Sequence, residues 1–200
     1  MRQSKIKADK KQEKRENDKE KRTGPGDIAG FFGRWDLQHV DPYRGGKSAR
    51  PGQFISMYTS DGTKLLPRPI SICEIDKEKS ALRVVYRVTG EHTGTEQFSR
   101  MQAGEQLSII GPLGNGFPLE RAKGKRVFLM GGGIGVPPIL ELAKQMSCEK
   151  KQIIVGYRDR QTFLKEEFEA CGEVYISTED GSVGTRGNVM NVVEEKALEA

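Results

Sequence analysis

The sequence is poor in the residues that metal and triad chemistry use. Its three cysteines, Cys73, Cys148 and Cys171, are odd in number and widely spaced. That argues against a disulfide framework and matches no zinc or iron–sulfur spacing, so they read as small buried hydrophobes with reduced thiols. There are two histidines. His92 sits among charged and small residues without an acid–base partner, and no Ser/His/Asp or Cys/His arrangement can be assembled. No apolar run is long enough to span a bilayer, and the first residues lack the apolar core of a signal peptide; a cytoplasmic protein with no membrane association is expected.

A charge imbalance is also missing from most of the chain. The net charge of +5 lies wholly in Met1 to Gly24, which carries ten Lys or Arg against five Asp or Glu. The remainder holds 23 of each sign (33 less ten, 28 less five), so the body gives no footprint for nucleic acid. With Met1, Ile6 and Ala8 as its only apolar residues, the segment 1–24 cannot offset the entropy of ordering it, and a disordered charged tail is expected. From Pro25 to Arg50 neither period 2 nor period 3.6 persists, and that stretch reads as irregular.

Glycine is what the chain has in excess: 24 residues, against a usual share of about 7%. The most definite stretch is Val127 to Met146, VFLMGGGIGVPPILELAKQM. An apolar run without alternation reads as a parallel strand buried on both faces. A glycine turn follows, then Pro137 and Pro138 in the position of a first helical turn, then Ile139, Leu142, Ala143 and Met146 at helical spacing. Such a turn at the carboxyl edge of a sheet is where α/β proteins hold phosphorylated ligands, although it also serves close strand-to-helix packing. It misses the dinucleotide fingerprint, because Gly131-x-Gly133 leads to Ile134, Gly135 and Val136 and not to a third glycine at the required place.

Before this stretch the chain reads as short strands with glycine-rich corners: 53–59, 70–75, 82–88 and 106–110, with a helical turn or two over 95–101 and a turn at 103–105. This is the pattern of a small antiparallel barrel. After it, strands at 153–157 and 173–177 alternate with helices at 163–170 and from Val189, a parallel α/β sheet. The expected division is a barrel domain over 25–120 and an α/β domain over 121–200.

Three further groups of residues carry chemistry. In Arg68-Pro69-Ile70-Ser71 the flanking prolines, Pro67 and Pro69, fix an extended backbone and Arg68 is a permanent cation suited to phosphate, or else a surface residue. Tyr86-Arg87 offers an aromatic face and a second cation, and Gly94-Thr95 opens a short helix; core packing and helix capping are the plain alternatives. Thr178-Glu179-Asp180-Gly181-Ser182 follows the third parallel strand, where carboxylates can hold ribose hydroxyls or form a solvated acidic loop.

R-P-x-S and G-T on a barrel, followed by GGGIGVPP, resemble the ferredoxin reductase family of flavoproteins. Within it, PGQF, RPISI, YRV, GTEQF, GPLGNGF and MGGGIGVPPIL are similar to the electron-transfer subunits of two-subunit, NAD-linked (type B) dihydroorotate dehydrogenases, from Pro51 to the end. The resemblance implies an FAD-binding β-barrel followed by a partial nucleotide-binding sheet. It assigns FAD to Arg68, Pro69, Ile70 and Ser71, with Val85, Tyr86 and Arg87 lining the same cofactor and Gly94 and Thr95 at its pyrophosphate. It assigns NAD(H), as substrate, to the turn of Gly131, Gly132, Gly133 and Gly135. The implied activity is that of an FAD-dependent NAD(P)H oxidoreductase subunit. Electrons would pass from NADH through FAD and, in the family, a [2Fe–2S] cluster to the dihydroorotate dehydrogenase catalytic subunit of pyrimidine synthesis, in a heterotetramer of two of each. A related NAD(P)H-ferredoxin or sulfide reductase subunit and a non-catalytic binding remnant are the alternatives. The family's four cluster cysteines and last strands are missing here, which implies a truncated chain; a fragment, a misread start and a shifted frame stand as explanations.

Overall fold

The computed structural model of the chain describes residues 4–9, 28–34, 49–78, 81–102 and 105–199. Two compact units divide the chain, Met1–Asn115 and Gly116–Ala200, ahead of the boundary expected at residue 121.

In the first unit, strands β1 (Ser4–Asp9), β2 (Ile28–Arg34), β3 (Phe54–Tyr58), β4 (Arg68–Asp76), β5 (Ala81–Arg87) and β6 (Gln106–Leu113) close a barrel in the order β1-β2-β5-β4-β3-β6. Every neighbouring pair is antiparallel. Alternation drives the core strands. On β5, Leu82, Val84 and Tyr86 enter a core shared with Ile55, Met57, Ile72, Val88, Phe98, Leu107 and Ile109, while Arg87 is exposed. Ile72 and Cys73 are both buried because a bulge puts two β4 residues opposite one step of β5, so the side-chain period slips there.

β1 corrects the expectation of a disordered tail over Ser4–Asp9, and β2 corrects the irregular reading over Ile28–Arg34. Each is specified by partners far away in sequence: β2 pairs Ile28 with Arg87 and Arg34 with Ala81, and β1 pairs Ser4 with Ile109. Local periodicity does not reveal such a strand. The rest of the tail and the turn expected at 103–105 lie partly or wholly outside the described residues. β6 also continues past its expected end at Ile110 to pair Leu113 with Phe54. Three steps of β6, Ile110 to Leu113, face two of β3, Phe54 to Ser56, so the extra residue sits at the Gly111-Pro112 corner; Gly111 is required because a side chain there would meet Ile55 Cγ2 at 2.6 Å.

The second unit starts with a 3₁₀ turn, Leu119–Ala122, and then builds a four-stranded parallel sheet. Its strands are β7 (Arg126–Gly132), β8 (Lys150–Tyr157), β9 (Glu173–Thr178) and β10 (Thr185–Arg186), in the order β10-β9-β8-β7. β8 is buried from Gln152 to Tyr157, as its continuous apolar run requires. Helix α2 (Pro138–Gln145) buries Ile139, Leu140, Leu142 and Ala143; α3 (Lys165–Glu169) buries Phe168, and α4 (Val189–Glu195) buries Val192. With α1 (Gly94–Arg100) of the first unit, these four helices match the expected ones in order. β10 is too short to leave a sequence signal. Among the described residues no helix is long and apolar enough to cross a membrane.

Candidate functional site

The barrel unit brings its predicted motifs together at the start of β4. Pro69 and Ser71 are exposed, while Ile70 packs against the core and leaves only its backbone for a ligand. The Arg68 guanidinium donates from Nη1 to the Leu66 carbonyl and lies against Gly94, the first residue of α1. A side chain at Gly94 would meet Arg68 Nε at 3.1 Å and Thr59 Cγ2 at 3.0 Å. Glycine at 94 is thus what lets a cation 26 positions earlier in the chain (94 less 68) settle over the helix start. The cation is placed and held by the fold's own contacts.

The loop into α1 is fixed by three threonines. Thr93, not Thr95, is the N-cap: its Oγ1 accepts from the Glu96 amide at 3.2 Å and donates to the Gly90 carbonyl at 2.8 Å. Thr95 is 6% exposed, and its hydroxyl is turned inward. It accepts from the Thr89 amide and lies 3.1 Å from the hydroxyls of both Thr89 and Thr93. Thr89 and Thr93 were missed in the sequence, where TGEHTGT reads as a bare loop.

Tyr86 does not present a ring face to the outside. It is 2% exposed, edge-on to Phe98 with centroids 6.2 Å apart, and burial pushes its phenol above the usual range. Val85 lies on the other face of β5, and Arg87 is exposed at the strand's end. His92 is exposed at φ 58°, its amide donating to Glu96 Oε2 at 2.6 Å.

A hollow of about 240 Å³ beside the helix start is walled by Asp61, Lys64, His92, Thr93, Glu96 and Arg100. Its charges are largely paired, Asp61 with Lys64 and Glu96 with Arg100. A larger cleft of about 470 Å³ by Tyr58, Phe98 and Leu107 contains none of the predicted site residues.

In the parallel unit, Gly131 and Gly132 close β7, Gly133–Gly135 makes one 3₁₀ turn, and Pro138 opens α2. The glycines do two different jobs. A side chain at Gly131 would meet the Gly135 carbonyl oxygen at 2.8 Å and Ile139 Cδ1 at 3.1 Å, so this glycine serves strand-to-helix packing. At Gly132, Gly133 and Gly135 a Cβ would meet nothing within 4 Å, and Gly133 has φ 53°. These three border open space that a ligand can approach.

The register aligns Gly132, Gly156, Ser177 and Thr185 in one row across the carboxyl half of the sheet. Ser177 is wholly buried, and its Oγ has no hydrogen-bond partner. Nothing in the sequence singled out Gly156 or Ser177. In the following loop Thr178 Oγ1 bonds the Val183 amide and carbonyl, and Asp180 Oδ1 accepts the Ser182 amide at 2.9 Å. Hydrogen bonds from the Ser182 side chain and backbone hold the Asp180 carboxyl below its ordinary value. Glu179 and Asp180 are exposed.

An antiparallel barrel unit with Arg68 over Gly94, followed by a parallel unit with an open glycine turn, is the ferredoxin-reductase-like fold. Two solved structures show it. One is described in an account of flavin-based electron bifurcation by an NADH-dependent reduced ferredoxin-NADP oxidoreductase (TM-score 0.71, 23% identity, 89% of this chain and 61% of that one). The other is a flavohemoglobin from Malassezia yamatoensis with bound FAD and heme (TM-score 0.69, 22% identity, 92% of this chain and 48% of that one). No protein-family model matches the chain.

The particular likeness is closer. The chain is 45% identical over 150 residues to the dihydroorotate dehydrogenase B (NAD(+)) electron transfer subunit of Enterococcus faecalis, covering 73% of this chain and 56% of that protein. It is 43% identical over 155 residues to the same subunit of Bacillus caldolyticus, covering 75% and 60%. The resemblance to these electron transfer subunits is therefore shown, and the chain spans about 56 to 60% of their length.

Proposed function

We propose that this chain is the flavin-bearing part of an electron-transfer subunit that carries electrons from NADH to a dihydroorotate dehydrogenase catalytic subunit. The observation that carries the reading is the Arg68 guanidinium seated against Gly94. The residues fit FAD: a fixed cation for the pyrophosphate, the exposed face of Pro69 and Ser71 beyond it, and Arg87 exposed at the end of β5, while Val85 is buried and would contribute from within. FAD, when bound, would supply a two-electron acceptor for one hydride from NADH and a donor of those electrons singly. Arg68 would neutralise the phosphates, Gly94 would keep the cation in place, and Tyr86 would support the wall from within.

In the other unit, the turn of Gly132, Gly133 and Gly135 would receive the nicotinamide nucleotide, with the Thr178–Ser182 loop beside its ribose. Gly131 would shape the turn without touching the ligand. A [2Fe–2S] cluster finds no fit. Cys73 is wholly buried in the barrel, and among the described residues no group of three His, Cys, Asp or Glu side chains could hold a metal ion.

The test is optical. The purified chain, reconstituted with FAD, is expected to be yellow and to bleach on anaerobic addition of NADH. A folded protein that stays colourless with FAD would overturn the reading. Co-purification with a dihydroorotate dehydrogenase catalytic subunit separates the proposed role from that of a ferredoxin or sulfide reductase subunit.

A further inference from the structure

Leu65 and Leu66 are 80% and 76% exposed, the only large hydrophobics so displayed among the described residues of the barrel unit. Their loop is not slack. Thr59 Oγ1 shares its one proton between the carbonyls of Asp61 and Lys64, the Lys64 amide donates to the Asp61 carbonyl at 3.0 Å, and Asp61 Oδ1 takes both the amide and the hydroxyl of Thr63. Gln97 of α1 donates to Ser60 Oγ, which ties the loop to the helix. A loop built this firmly to hold two leucines in water has a use for them.

We propose that Leu65 and Leu66 form a platform for the adenine ring of the dinucleotide whose pyrophosphate Arg68 holds. This rests on the flavin reading above. The order of groups along the chain carries it. Ser71 lies about 10 Å up β4 from Arg68, on the side assigned to the isoalloxazine ring. On the opposite side the Arg68 guanidinium is bonded to the carbonyl of Leu66 itself. A ligand running from ring to phosphate to adenosine therefore passes from Ser71 over Arg68 onto the leucines. The area also favours a base over a protein. A stable protein interface takes roughly 800 Å² from each partner, and this patch is two side chains wide. An adenine face matches two aliphatic side chains, which would lose water on contact.

The test compares ligands with and without the adenylate. Apo-protein is titrated with FAD, with FMN and with ADP, using wild type, the double variant Leu65→Ser/Leu66→Ser, and Leu65→Met/Leu66→Met. The serine variant is expected to bind FAD and ADP about tenfold more weakly with FMN affinity unchanged, and the methionine variant to recover most of the loss. Unchanged FAD affinity would assign the leucines to a protein surface and overturn the platform. Equal losses for FAD and FMN would mean a disturbed loop, and would overturn it too. Wild type that binds neither flavin would overturn the flavin reading itself, so the two failures are distinguishable.

Discussion

The two units assemble their candidate sites in opposite ways. In the parallel unit the glycine turn is one continuous stretch, strand to turn to helix, and each participant is within a few residues of the next. In the barrel unit Arg68 and Gly94 meet only because β4 and β5 pair and the chain returns through α1. A contiguous site announces itself in sequence but leaves the division of labour among its residues hidden. A convergent site does the reverse: Arg68 and Gly94 stand out singly in the sequence, but their relation appears only once the strands pair.

The contrast breaks most sharply at Arg68. Arg68→Ala should cost about 2–3 kcal/mol of FAD binding with little change in melting temperature, since the side chain is half-buried at a barrel end. Flavin titration and thermal melting read the two quantities separately, and unchanged flavin content would undo the convergent site. Among the glycines, Gly131→Ala should destabilise the parallel unit by about 1–3 kcal/mol through overpacking, seen as a lower denaturation midpoint. Gly132→Ala, facing open space, should leave that midpoint alone and weaken NADH binding instead. If the two alanines behave alike, the turn has no division of labour.

Thr95 gives the next effect. Thr95→Val should cost about 1–3 kcal/mol in denaturant unfolding by stranding buried partners, while Thr95→Ser should be nearly neutral. The smallest effect belongs to the leucine loop. The Lys64 ammonium, followed by the Thr63 hydroxyl and amide, holds the Asp61 carboxyl well below its ordinary value of 3.8. A depressed pKa stabilises the native state above the ordinary value and is lost as pH falls through the depressed one. The melting-temperature gap between wild type and Asp61→Asn should therefore be small, constant from about pH 5 to 7, and shrink on acidification below the ordinary carboxylate range.

Much of the fold was legible. β3 to β6 alternate, β7 and β8 carry continuous apolar runs, and each helix from α1 to α4 shows an apolar face or a capping residue. β1 and β2 were illegible because their partners lie tens of residues away: the alternation of Lys5, Ile6, Lys7 and Ala8 is brief and set in a charged stretch, and the glycine-bearing β2 shows no period of its own. At the site, Arg68 and the glycine turn could be read from residue type alone. The inward turn of Tyr86 and Thr95 could not, because facing depends on register, and a single step of register exchanges the two faces. Leu65 and Leu66 fall between the expected strands 53–59 and 70–75, and only their exposure marks them out.

The threonines of the barrel loop have one more consequence, in the direction of their protons. Thr93 spends its single hydroxyl proton on the Gly90 carbonyl, so in its contact with Thr95 it can only accept. Thr95 must donate there, and it can then only accept from Thr89. The run Thr89 to Thr95 to Thr93 to Gly90 thus has one polarity, with each bond strengthening the next. Thr95 has no proton left for an anion in this arrangement. A phosphate that settled beside Arg68 would therefore take its hydrogen bonds from the guanidinium and the peptide backbone, and not from the Thr95 hydroxyl.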